Sequence, residues 1–81
     1  MPKPLLKEGF SFYFWSDEGR EPPHVHVNKG DGLAKWWLVP KIRMEYSNGF
    51  KEQEQRRIRE LIKEHHETLL EAWKKHFGGK G

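Results

Sequence analysis

The run Pro22-Pro23-His24-Val25-His26-Val27 sets two imidazoles two residues apart. On an extended strand, residues i and i+2 share a face at roughly 6.5–7 Å, so His24 and His26 can act on one ligand. Three chemistries suit such a pair. It can chelate Zn²⁺ or Ni²⁺ if a third ligand lies nearby; Asp17, Glu21 and Asp31 are candidates that spacing alone does not fix. It can supply general base and general acid to a phosphodiester, as in a metal-independent ribonuclease, with Arg20, Lys35 or Arg43 steadying the charge. Or the imidazoles, set among aromatic rings, can stack unpaired bases or receive a partner protein. The plainer alternative is that both histidines satisfy hydrogen bonds around the Pro-Pro turn.

The neighbouring elements must position these rings. From Gly9 to Ser16, alternation puts Phe10, Phe12 and Phe14 on one face and Ser11, Tyr13 and Trp15 on the other. Pro22-Pro23 holds the chain extended at a strand start, and His24 to Val27 forms the second strand, histidines on one face and valines on the other. Asn28 to Gly32 is a turn, and Leu33 to Val39 is a third strand, apolar on both faces. Lys41 to Tyr46 alternates charged and apolar residues, as a fourth, half-buried strand would.

From about Lys51 to His76 the period becomes helical: Ile58, Leu61, Ile62, His65, Leu69, Ala72 and Trp73 follow one stripe. Phe50 can staple the helix start, and Lys51 is a poor N-cap. The expected fold is α+β: a three- to four-stranded antiparallel meander over about 9–46, covered on one face by a single long C-terminal helix over about 51–77. All of 1–81 forms one domain, with a mobile tail at 78–81.

If that helix covers Phe10, Phe12 and Phe14, Val25 and Val27 share the inner face. His24 and His26 then lie accessible on the other, near Tyr13, Trp15 and one of the tandem tryptophans. The candidate binding face is therefore Tyr13, Trp15, His24, His26, Trp36 and Trp37. An exposed Trp commonly anchors a partner. His65, on the apolar stripe, is expected to be packed; only an inverted sheet would bring it to His24 and His26. Arg56, Arg59 and Lys63 share a helix face and, with Lys35 and Arg43, are the candidate nucleic-acid contacts, against the alternative of a solvated surface.

Composition sets the outer limits. The chain has 81 residues, 35% hydrophobic, with eleven aromatic side chains and no cysteine. Large rings can build the core of so small a domain, and neither a disulfide nor a thiolate metal site is available. No cofactor is expected. The N-terminal residues lack the apolar stretch of a secretory signal and no run is long enough to span a membrane, so the cytoplasm is the expected compartment. Net charge is +3, evenly spread, which permits nucleic-acid contact without requiring it.

Several segments together resemble a known family. Phe12-Tyr13-Phe14-Trp15-Ser16, Glu21 through Val27, Gly30-Asp31-Gly32, Ala34 through Leu38, Asn48-Gly49-Phe50 and Leu70-Glu71-Ala72-Trp73 look like the small bacterial proteins grouped as domain of unknown function 4160. The Pro-Pro-His-X-His segment is the most specific part, and His24 and His26 match the family's pair. The departure is Lys51, where a Ser or Thr cap would be more usual. The resemblance implies no catalytic residues. It implies a gene often set beside that of a second small protein, some such pairs being described as toxin–antitoxin modules. The expected function is accordingly a small cytosolic binding module acting with a protein partner in a toxin–antitoxin-like pair. The alternatives are the ribonuclease or a His-based metal-binding protein.

Overall fold

A computed structural model describes residues 4–15 and 20–78 of the chain. Among these, five strands precede two helices: β1 (Leu5–Lys7), β2 (Phe10–Tyr13), β3 (His24–Lys29), β4 (Gly32–Trp37), β5 (Arg43–Asn48), α1 (Glu52–Glu64) and α2 (His66–Phe77). The sheet order is β1-β2-β3-β4-β5 with every neighbour antiparallel. The α+β meander is as expected, but it holds one strand more, and the helical segment is two helices.

The extra strand is β1. Lys7 pairs with Phe10, leaving Glu8-Gly9 as a two-residue turn with φ of 54° and 84°, the two positive values that a type I′ hairpin requires. Glu8 is held there by Arg57 of α1, whose guanidinium grips both carboxylate oxygens, Nε at 2.8 Å from Oε1. The β3–β4 hairpin closes through Gly30-Asp31, where Gly30 takes a φ of 59°.

Register then decides which side chains face the helices. Phe12 lies beside Val27, Val27 beside Ala34, and Val25 beside Trp36. These residues, with Phe10, Phe14 and Leu38, form one core with Phe50, Ile58, Leu61, Ile62, Leu69 and Trp73. Phe50 does not staple the helix start, because the N4 residue is the polar Gln55; its ring lies on Gly32 of β4 instead. A Cβ there would stand 2.4 Å from the Phe50 ring, so no other residue fits without displacing it.

Lys51, which has no side-chain acceptor, starts α1 because Glu54 reaches back to its backbone N–H at 2.8 Å. The helical segment is interrupted at His65 (φ −110°, ψ 22°). The main-chain bonds on either side persist, His65 N to Leu61 O at 3.0 Å and Leu69 N to His65 O at 2.9 Å. Beyond the break, the His66 ring bonds the Leu38 carbonyl, Nε2 to O 2.8 Å, tying the start of α2 to the end of the sheet. No helix among the described residues is long and apolar enough to cross a membrane. Residues 79–81 of the expected tail lie outside the described residues.

Candidate binding site

Strand register brings His24, His26 and their neighbours onto the sheet face opposite Val25 and Val27, where Trp73 of α2 also meets His24. Tyr13 is opposite His26, His26 opposite Lys35, and Lys35 opposite Tyr46; one row along, His24 is opposite Trp37. The rings meet in a continuous cluster. Trp15 stacks on His26 with centroids 4.3 Å apart and planes at 17°, and Tyr13 stacks on the same ring at 5.7 Å. His24 meets His26 edge-on at 5.4 Å, Trp37 at 5.3 Å and Trp73 at 5.0 Å.

Two expectations are corrected by this geometry. The imidazoles are not accessible: His24 is 0% and His26 1% exposed, because rings from four elements or flanking segments close over them. And Trp36 is not on this face. It points to the helices and is part of the core, while Trp37 stands with the histidines. The two-residue turn at Gly30-Asp31 carried the signal, since it sets Val25 against Trp36. Trp73 was missed as a site residue because its position on the apolar stripe reads only as core; its ring serves both roles.

Polar contacts fix the cluster further. His24 Nδ1 lies 3.0 Å from the Pro22 carbonyl. A carbonyl only accepts, so Nδ1 is the donor in this contact. The turn-stabilising role foreseen as the plainer alternative is thus present for His24. Glu21 lies 3.7 Å from the same nitrogen and accepts from Lys35 Nζ at 2.9 Å. Lys35 also sits 4.7 Å over the Trp37 ring, a cation–π contact. The Trp37 indole N–H donates to Glu45 at 2.8 Å. Tyr13 is driven above its ordinary pKa of 10.0, first by burial and then by the nearby Tyr46, with a hydrogen bond from Trp15 opposing.

The outer layer of the cluster meets solvent. Trp15 is 39% exposed, and Tyr13, Lys35, Trp37 and Tyr46 are half-buried. As to metals, among the described residues no three His, Asp or Glu side chains converge on one point. Asp31 is in the β3–β4 turn, His65 is on the helical segment, and Asp17 lies outside the described residues. The candidate nucleic-acid contacts separate: Lys35 belongs to the aromatic cluster, whereas Arg56, Arg59 and Lys63 project from α1, with Arg43 at the β5 edge.

A family model described as a domain of unknown function (DUF4160) matches residues 9–74, a span that holds the whole ring cluster. No curated protein and no solved structure gives a match.

Proposed function

The chain belongs to the DUF4160 family, and on that premise and the geometry of its aromatic face we propose a binding module that receives a small protein partner. One observation carries the reading: Trp15, 39% exposed, lies flat on a histidine that is 1% exposed. Protein interfaces draw most of their affinity from a few Trp, Tyr or Arg side chains near the centre. A ring already immobilised from beneath loses little further entropy on docking. In this reading His24 and His26 are the support and Trp15, Tyr13 and Trp37 the contact surface. The pairing with the product of an adjacent gene, in a toxin–antitoxin-like arrangement, extends the family resemblance to this chain.

The two enzymatic and metal alternatives draw less from the site. Acid–base cleavage of RNA needs an imidazole within hydrogen-bond reach of the substrate, and a zinc site needs at least a third ligand. Either would require the rings over His24 and His26 to move.

Isothermal titration with the product of an adjacent gene tests the proposal. Binding is expected, and Trp15→Ala should weaken it by about 30-fold or more, the effect of a hot-spot residue worth about 2 kcal/mol. A chain that binds nothing, or a Trp15→Ala variant that binds as tightly as the parent, overturns it.

A further inference from the structure

The side of α1 turned from the core carries Arg56, Arg59 and Lys63 at spacings of three and four residues, which aligns them along the helix. Two surface cavities meet at Arg59. One, of about 250 Å³, is lined by Arg56, Arg59, Glu60 and Lys63. The other, also about 250 Å³, is lined by Trp36, Ile42, Arg43, Met44 and Arg59. The cationic row therefore continues from the helix to the edge strand β5.

These charges are little used within the fold. Glu60, the acid among them, is held by Arg57 at 3.0 Å. Arg56 meets Glu52 at 3.6 Å with both side chains well exposed, a weak contact. Among the described residues no ion pair engages Arg43, Arg59 or Lys63. Like charges three and four residues apart repel, so the row does not serve helix stability. Trp36, in the wall of the second cavity, is 5% exposed and belongs to the core.

We propose that this row binds the phosphate groups of a nucleic-acid backbone, apart from the aromatic face. Three of the four cations are arginines, whose planar forks match phosphate oxygens. At a rise of about 1.5 Å per residue, Arg56 to Lys63 spans about 10 Å, room for successive phosphates. A protein partner would need a buried apolar centre, and among the described residues beside the row only Met44, 40% exposed, is a large exposed hydrophobic. Contacts to the phosphates alone make the binding independent of sequence.

The test is fluorescence anisotropy with a labelled 16-nucleotide single-stranded RNA, titrated across salt concentrations, with poly-glutamate of equal length as competitor. For three to four phosphate contacts, log K should fall against log salt with a slope of roughly −2 to −3. Arg59→Ala, exposed and outside the core, should weaken binding and reduce the slope by about 0.7, whereas Lys74→Gln on α2 should change neither. Absence of salt-dependent binding overturns the proposal, as does an Arg59→Ala effect no larger than that of Lys74→Gln. Tighter binding of poly-glutamate than of RNA also overturns it, assigning the row to an acidic polypeptide.

Discussion

Trp15 and His26 form a stacked pair, 4.3 Å between centroids and 17° between planes, in which one ring is 39% exposed and the other 1%. The pair joins solvent to the sheet interior through a single contact, so stability and recognition should be separable within it. Trp15→Ala should cost about 1 kcal/mol, the worth of the aromatic contact and part of the burial. His26→Ala should cost about 2–4 kcal/mol by leaving a cavity among the rings of Tyr13, Trp15 and His24. Urea midpoints at constant m-value measure both, and an equal loss in the two variants would contradict the layered arrangement.

Gly32 is the second position at which one substitution should destabilise the fold. The Phe50 ring occupies the place of its missing side chain, 2.4 Å from an added Cβ. Gly32→Ala should lose about 1–3 kcal/mol from overpacking, although alanine suits a strand better than glycine. Combining it with Phe50→Leu should recover part of the loss, since the two changes share one contact.

The Glu8–Arg57 contact makes acid stability depend on a surface pair. Arg57 holds the Glu8 carboxyl below its ordinary value of 4.5, chiefly by hydrogen bonding, and is itself raised by Glu8 and then Glu60. A carboxyl lowered in the folded state contributes stability above its unfolded pKa and loses it as pH falls through the folded value. The parent should therefore exceed Glu8→Gln in stability at pH 7, with the gap closing below about pH 4. High salt should narrow the gap, because the pair is exposed. Thermal melts of both proteins from pH 3 to 7 measure it; a gap constant with pH would contradict the account.

His65 offers the opposite expectation. Its ring nitrogen Nε2 is buried with no hydrogen-bond partner among the described residues, with Glu64 3.9 Å away. Replacing an unsatisfied buried polar group by an apolar one of similar shape costs little, so His65→Leu should leave the melting temperature unchanged or higher. A drop of several degrees would show that the imidazole itself holds the junction of α1 and α2.

How much of this could be read beforehand varies with the physics of each element. Period-two patterning placed Phe12, Val25 and Val27 inward and Tyr13, Trp15, His24 and His26 outward, because a strand's side chains must alternate. Leu5–Lys7 is too short to show a period, and its partner lies across a turn formed by Glu8, a residue not suited to positive φ. The interruption at His65 has neither proline nor glycine to announce it, and the apolar stripe runs through it undisturbed. Burial of the two imidazoles has no sign in the strand pattern. It arises from Trp15, Trp37 and Trp73, which come from separate parts of the chain, and strand alternation says nothing about what lies above a face.

The central claim is that the outward aromatic face is the docking surface. Nitrogen-15 NMR of the chain, titrated with the product of an adjacent gene, tests this residue by residue. The account predicts that the Trp15 and Trp37 indole signals and the Tyr13, Lys35 and Tyr46 amides shift together, while those of Arg56, Arg59 and Lys63 stay in place. Shifts confined to the α1 surface, or a spectrum unchanged at saturating partner, would contradict it.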